Sequence, residues 1–276
     1  MICFPTCKIN LGLRITQKRA DGFHSLETVF YPLLLTDALE IIIADAPTTE
    51  PLTFSSSGLA INGDTSDNLC CKAYWLLKND YPKISPIKMH LHKKIPMGAG
   101  LGGGSADGAF TLTLLNQLFN LQIPKQALLD YALQLGSDCP FFIENSPAFA
   151  TGRGEMLTPT NVNLDGYSII VVNPGIGIST KMAFSLITPH QPSTHIPDIL
   201  KLPIRSWKDA LINDFEAPIF KAYPELQKIK ETLYQKGAVY AAMTGTGSTV
   251  YGIFPTSIIP TISFDFPANY FLHINQ

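Results

Sequence analysis

Apolar and polar residues alternate from Ile9 to Ile15 in the order Ile-Asn-Leu-Gly-Leu-Arg-Ile. That two-residue period predicts a strand with one dry face and one wet face. After a turn at Arg19-Ala20-Asp21-Gly22, strand character resumes from Leu26 to Leu35 and again from Ala38 to Ala44. Asp67 reads as the N-cap of a helix running through Tyr81 and halted by Pro82. Ile87 to Ile95 alternates once more and leads into a run of glycines. From Ser105 to Phe119 the residues are apolar nearly all round, which predicts a central, buried helix. Pro124 opens a further helix to Leu135, ended by Gly136-Ser137-Asp138-Cys139-Pro140.

The second half predicts a buried strand at Tyr167–Asn173, a proline-rich connecting loop over 188–203, and helices over Trp207–Asp214 and Glu225–Lys236. A strand pair, Ala238–Met243 and Ser248–Phe254, brackets Thr244-Gly245-Thr246-Gly247, and a last aromatic-rich strand is expected within Pro260–Gln276. The order of elements is α+β in two lobes, with the boundary expected between 1–153 and 154–276.

Composition narrows the class. With 276 residues, 46% of them hydrophobic, the chain can bury a large core. A net charge of −2 argues against a nucleic-acid binder, which needs a basic face to compete for phosphates at cellular salt. The five cysteines (Cys3, Cys7, Cys70, Cys71, Cys139) are odd in number and form no C-x-x-C pair, so reduced, mostly buried thiols are expected. No apolar run approaches the length of a membrane span, and the N-terminal residues carry no leader-like pattern. The expectation is a cytoplasmic protein with no membrane and no nucleic-acid partner; its oligomeric state is left open.

Chemistry enters at Pro96-Met97-Gly98-Ala99-Gly100-Leu101-Gly102-Gly103-Gly104-Ser105, with five glycines in seven positions ahead of a helix. Glycine tolerates positive φ and carries no Cβ to hold a ligand away. The amides at a helix start are unpaired and sit at the positive end of the dipole, so the stretch predicts a main-chain phosphate site. It is not a P-loop, because no Lys-Ser or Lys-Thr follows the glycines. Gly98-x-Gly100-x-x-Gly103 matches a dinucleotide fingerprint formally, yet no acidic residue lies between Phe110 and Leu129 to hold a ribose.

The same ten residues resemble the P-x-x-x-G-L-G-x-x-S loop of the GHMP small-molecule kinases. Lys8-Ile9-Asn10-Leu11 and Thr244-Gly245-Thr246-Gly247-Ser248 are similar to two further blocks of that family, in the same order. Arg19-Ala20-Asp21-Gly22-Phe23-His24-Ser25-Leu26 and Leu135-Gly136-Ser137-Asp138-Cys139-Pro140-Phe141-Phe142 resemble segments of the branch that acts on a cytidyl-diphosphate sugar alcohol. The resemblance spans essentially the whole chain. It implies a GHMP kinase fold, with an N-terminal ribosomal-S5-like lobe, a C-terminal ferredoxin-like lobe and the active site in the cleft between them. It implies ATP-dependent phosphorylation of the 2-hydroxyl of a cytidyl-diphosphate methylerythritol, a step of non-mevalonate isoprene biosynthesis. The alternatives are a mevalonate- or homoserine-type GHMP kinase and a catalytically inactive, metabolite-sensing relative.

The resemblance also assigns roles. Asp138 is expected as general base, against the alternative of a carboxylate capping its own turn; Lys8 is expected beside it as the stabilising cation. ATP would be held by Pro96, Met97, Gly98, Ala99, Gly100, Leu101, Gly102, Gly103, Gly104, Ser105, Ala106 and Asp107, with Asn68 at the adenine and Lys93 flanking the nucleotide. Asn68 has helix capping as its alternative, and Lys93 and Lys94 a solvated basic strand end. Asp107 suits a helix dipole but would repel a phosphate unless magnesium or loop amides intervene. Ala106 replaces the usual second serine. Asn10, Gly245 and Thr246 are expected at the substrate's polar groups, and Phe23, His24, Thr180 and Phe184 around its cytosine. ATP brings Mg²⁺, with no dedicated protein metal site, and His90 and His92 read as surface residues.

Overall fold

Strands form where the two-residue period was found, and the first two long ones extend beyond it at both ends. The computed structural model describes residues 1–45 and 50–275. Its first strands are β1 (Ile2–Cys3), β2 (Thr6–Lys18), β3 (His24–Thr36), β4 (Ala38–Ile43) and β5 (Leu52–Gly58). Helix α1 (Leu69–Asp80), strand β6 (Ile87–Lys93) and helices α2 (Gly103–Leu118), α3 (Lys125–Leu135) and α4 (Cys139–Glu144) follow. Strands β7 (Ala148–Thr151), β8 (Met156–Pro159) and β9 (Tyr167–Asn173) precede helices α5 (Thr180–Ser185), α6 (Ile196–Leu200), α7 (Glu216–Ala222) and α8 (Pro224–Gln235). The chain closes on β10 (Tyr240–Met243), β11 (Val250–Pro255) and β12 (Phe271–Asn275).

Contacts divide the chain into two units. The first takes Met1–Cys7, Leu34–Met97 and Gly102–Ser146; the second takes Lys8–Leu33, Gly98–Leu101 and the chain from Pro147 onward. The expected single cut between 1–153 and 154–276 does not describe this division. Residues 8–33 belong to the second unit because β2 and β3 share a sheet, in the order β2-β3-β7-β8, with strands far along the chain.

In the first unit the sheet order is β1-β4-β6-β5, antiparallel except for the parallel β5–β6 pair. Strand β6 buries Ile87, Met89, Leu91 and Lys93 on one face, while Lys88, His90 and His92 point the other way. His90 takes hydroxyls of Ser55 and Ser57 on its two ring nitrogens, each at 2.8 Å. Helix α2 is buried on most of its circumference, as its sequence predicted. It packs so closely on α1 that a Cβ at Gly108 would lie 3.0 Å from the Leu69 Cβ.

The second unit adds the sheet β10-β11-β9-β12, on which α8 lays Leu226, Ile229 and Leu233 against Ile170, Val172 and Phe254. Strand β9 is buried on both faces, which is why it reads as a continuous apolar run rather than an alternation.

Four local readings are corrected. Asn68, not Asp67, caps α1, its Oδ1 accepting the Cys70 amide at 2.9 Å; Asp67 lies in a single tight turn capped by Asp64. The expected helix over Trp207–Asp214 does not form, because the chain there pairs with β2. Leu13 donates to the Ile212 carbonyl at 2.9 Å, and the Ile15 amide donates to Asp214 Oδ2 at 2.8 Å. Within the proline-rich 188–203, α6 starts with Pro197 in its first turn, where a missing N–H costs nothing. Pro140 does the same for α4, a helix placed where the sequence reads only as a stop. Among the described residues no helix is long and apolar enough to cross a membrane.

Leu233 is fully buried under the third sheet. Leu233→Ala is expected to cost about 2–5 kcal/mol in urea denaturation. Lys228→Ala, on the same helix, should stay within about 0.5 kcal/mol of the parent.

Candidate active site

The glycine stretch is built from backbone that only glycine adopts easily. Gly98, Gly100 and Gly102 have φ of 63°, 77° and 71°. Gly102 is then the N-cap of α2 and offers no side chain to its amides. Two further glycines have different reasons to be there. At Gly103 a Cβ would meet Ile95 Cγ2 at 2.8 Å and Lys93 Nζ at 3.1 Å, so packing forbids it. At Gly104 a Cβ would meet nothing within 4 Å, and the residue sits in helix. Nothing inside the protein requires a glycine at 104.

In the first unit, the helix start and the segment around Asp138 are brought together. The Ser105 hydroxyl lies within hydrogen-bond reach of the Cys139 thiol, the neighbour of Asp138. Burial pushes that thiol up to about 12, so it is no nucleophile. Asp138 holds the N-cap position of α4 with φ −84° and ψ −16°, and its side chain makes no capping bond. The capping alternative for Asp138 is thereby removed. For Asn68 the capping alternative is what the structure contains.

Lys93 is not at a wet edge. Its side chain is 0% exposed, and its ammonium donates to Asp37 Oδ2 and, at 2.7 Å, to Asp107 Oδ2. Burial pushes the ammonium pKa down, but the two carboxylates outweigh it and the net shift is upward. Asp107, which the sequence placed between a phosphate and a dipole, faces this lysine instead. Burial pushes its carboxyl up to about 7, against the pull of Lys93, and its Oδ1 is buried without a partner. Ala106 is also spent internally, with its methyl buried and its amide donating to the Gly102 carbonyl at 2.9 Å. Pro96 is half-buried and Met97 exposed.

In the second unit a buried asparagine gathers three segments. Asn10 Oδ1 accepts from Lys8 Nζ at 2.7 Å, from the Thr244 hydroxyl at 3.0 Å and from the Gly245 amide at 2.9 Å. Its Nδ2 donates to Thr28 Oγ1 at 3.0 Å. Asn10, expected at the substrate's polar groups, is thus bonded to Lys8, Thr28, Thr244 and Gly245 of the protein itself. Lys8 Nζ also lies 3.3 Å from the Gly100 carbonyl and 4.8 Å from the Phe30 ring centroid. Leu101 and Ala99 have buried side chains; their carbonyls accept the amides of Lys8 and Thr249 at 2.9 and 3.3 Å. A Cβ on Gly100 would fall 2.3 Å from the Thr244 carbonyl oxygen. Gly245 and Thr246 are half-buried, and Asn213 Nδ2 holds the carbonyls of Met243 and Gly245 at 2.8 and 2.9 Å.

The aromatic residues lie in the second unit as well. His24 stacks on Phe184 with ring centroids 5.0 Å apart and 26° between planes, and Phe184 meets Phe215 edge-on at 4.9 Å. The two rings expected to face each other across a base are thus in direct contact, so a base entering between them must part them. Phe23 is 53% exposed, with the Arg153 guanidinium over its ring at 4.9 Å. Thr180 opens α5 on the surface, after its N-cap Ser179.

Asp37, Asn213 and Glu27 were not singled out by the sequence. Glu27 is buried three residues after His24 and binds His195 Nδ1 at 2.7 Å. The available signal at Asp37 was a lone acid between two apolar strands, Leu33-Leu34-Leu35-Thr36 and Ala38-Leu39. Among the described residues no three or more His, Cys, Asp or Glu side chains are grouped to hold a metal ion.

A family model of the GHMP kinases N terminal domain matches residues 68–146, and one of the GHMP kinases C terminal matches 198–259. The match places both the glycine loop and Asp138 in a small-molecule kinase class. A 4-diphosphocytidyl-2-C-methyl-D-erythritol kinase of Bacteroides fragilis is 48% identical over 266 residues, 96% of each chain. A crystal structure of 4-(cytidine 5'-diphospho)-2C-methyl-D-erythritol kinase superposes with a TM-score of 0.78 at 30% identity, covering 91% of this chain and 89% of that one. The mevalonate kinase of Methanococcus jannaschii shares the fold, with a TM-score of 0.69 over 100% of this chain and 98% of its own, at 14% identity. This chain belongs to the 4-diphosphocytidyl-2-C-methyl-D-erythritol kinase family.

Because Asp107 is raised from 3.8 to about 7, the native state binds more protons than the unfolded chain between those values. Its contribution to stability therefore falls as pH rises through that window. Asp107→Asn, which keeps an oxygen for Lys93, should become more stable relative to the parent as the pH is raised from 4 to 8 in paired urea titrations. A constant difference across that range would show that Asp107 is ionised throughout.

Proposed function

We propose that this chain transfers the γ-phosphoryl group of ATP to the 2-hydroxyl of 4-diphosphocytidyl-2-C-methyl-D-erythritol, giving the 2-phosphate and ADP, in non-mevalonate isoprenoid precursor biosynthesis. The observation that carries the reading is Gly104. A helical glycine costs up to about 1 kcal/mol relative to alanine. Elsewhere in the loop φ or packing accounts for that cost, and at 104 only an approaching ligand does. Backbone amides at the start of a 16-residue helix are the chemistry that receives a phosphate.

The main chain of 98–105 holds the triphosphate, with specificity for charge rather than for base. Mg²⁺ accompanies the nucleotide and takes its ligands chiefly from phosphate oxygens and water, a mode that needs no cage of protein carboxylates. Asp138 accepts the proton of the 2-hydroxyl as phosphoryl transfer proceeds. Lys8, oriented by Asn10, supplies positive charge at the reacting oxygens. Gly245 and Thr246 meet the diphosphate, and Phe23, His24 and Phe184 provide faces on which cytosine stacks.

Asp138→Ala and Lys8→Ala are each expected to lower kcat by roughly 10²–10⁴ while the fold persists. Turnover close to the parent in either purified variant would remove that residue from the mechanism. Gly104→Ala should raise the melting temperature slightly and raise KM for ATP. A gain in stability with an unchanged KM would place the triphosphate elsewhere. Across a panel of the cytidyl substrate, mevalonate, homoserine and galactose, ATP consumption is expected with the first alone.

A further inference from the structure

The chain entering the glycine stretch and the chain leaving it are tied to one buried carboxylate. Asp37 is the single residue between β3 and β4, and it is buried. Its Oδ1 accepts the amides of Lys94 and Ile95, at 2.6 and 2.8 Å, which are the last two before Pro96. Its Oδ2 accepts from Lys93 Nζ, and that ammonium also donates to Asp107 in the first turns of α2. Asp37 is itself held, its amide donating to the Pro5 carbonyl at 2.9 Å. Every member of this set belongs to the first unit.

The set is tight as well as connected. Gly103 lacks a Cβ where one would strike Lys93 Nζ and Ile95 Cγ2. The helix start therefore rests directly on the lysine that Asp37 holds. A backbone rich in glycine has many conformations, and fixing its two ends removes many of them before a ligand arrives. Affinity gained by ordering a site in advance appears as binding free energy, because the ligand no longer has to order it.

We propose that Asp37 is a positioning residue for the nucleotide loop. Through the Lys94 and Ile95 amides and through Lys93 to Asp107, it sets the spacing of residues 95 and 103 at which the loop amides receive a triphosphate. The inference rests on the assignment of residues 98–105 to ATP.

Two variants test it. Asp37→Asn keeps an oxygen for the two amides and leaves Lys93 and Asp107 as a balanced pair, so it removes only the ammonium tie. Asp37→Ala removes all three bonds. In steady-state assays KM for ATP should rise at least tenfold in Asp37→Ala and by an intermediate factor in Asp37→Asn. KM for the cytidyl substrate should stay within twofold in both. An equal rise in both KM values, or a folded Asp37→Ala with KM for ATP within twofold of the parent, overturns the proposal. Should Asp37→Ala fail to fold, an unchanged KM for ATP in Asp37→Asn overturns it. Amide hydrogen exchange of the parent with ATP separates this from the underlying assignment. If residues 98–105 gain no protection, the nucleotide assignment falls; if they do and the Asp37 variants bind ATP like the parent, only the positioning role falls.

Discussion

One buried ammonium shared by two carboxylates is the constraint on which the first unit's chemistry depends. Lys93 has no access to water, and neither does the carboxylate of Asp37. Stripping an ion of water costs several kcal/mol, so such a group persists only where partners are held in good geometry. Removing one member of a buried pair leaves the other uncompensated, at a cost of about 3–5 kcal/mol. Burial is the larger cause of the upward shift of Asp107, and the neighbouring Asp37 carboxylate adds to it against the pull of Lys93. The orphaned Oδ1 of Asp107 is where the polar accounting of this set does not close. A hydrophobic substitute would avoid these costs but would not bind the Lys94 and Ile95 amides, and those amides fix how the chain leaves β6.

Asn10 plays a comparable part in the second unit, by hydrogen bonding rather than charge. Its Oδ1 serves residues 8, 244 and 245 at once, and the Tyr251 hydroxyl donates to its carbonyl at 2.8 Å. Buried networks of this kind specify one arrangement because each unmade bond strands a partner in low dielectric. The bond to Lys8 bears on the role proposed for that lysine. A flexible four-carbon stem brought to one rotamer by a buried acceptor delivers its charge to one place. Asn213 performs the same service for the carbonyls flanking Thr244. Asn10 and Asn213 thus act on the protein itself, fixing the main chain around Thr244.

How much of this could be read from the chain depended on whether a local pattern or a distant partner decided the outcome. The strands at Ile9, Leu26, Ala38 and Tyr167 and the buried helix after the glycines were legible because burial follows a period there. The residues around 207–214 were not, because the Ile15 amide and the Leu13 backbone commit that stretch to β2, some two hundred residues earlier in the chain. Strand β5, Leu-Thr-Phe-Ser-Ser-Ser-Gly, hides for another reason, since its exposed serines give no alternation and its pairing with β6 is parallel. At the site, residue types were legible and their engagement was not. Lys93 looked like a basic strand end, because its neighbours Lys94 and His92 are exposed; that Asp37 and Asp107 enclose it follows only from the fold. Asn68 had two equally ordinary readings in sequence, and the bond from the Cys70 amide realises the capping one.

On the proposed reading, recognition divides between main chain and side chains. A triphosphate read by amides asks for glycines, a helix start and fixed ends, and is indifferent to most side chains around it. The fold itself is shared with a mevalonate kinase at 14% identity. An acceptor is different, since discriminating it requires particular rings and hydrogen-bonding groups whose loss leaves buried partners unmet. On the proposed reading those groups are the stacked His24 and Phe184 and the exposed Phe23. A change of acceptor would on that reading fall on β3 and α5, while the loop and its tie to Asp37 meet the same demand. On that reading the phosphate chemistry is borne by backbone and by buried charge, and acceptor specificity by a separate set of side chains.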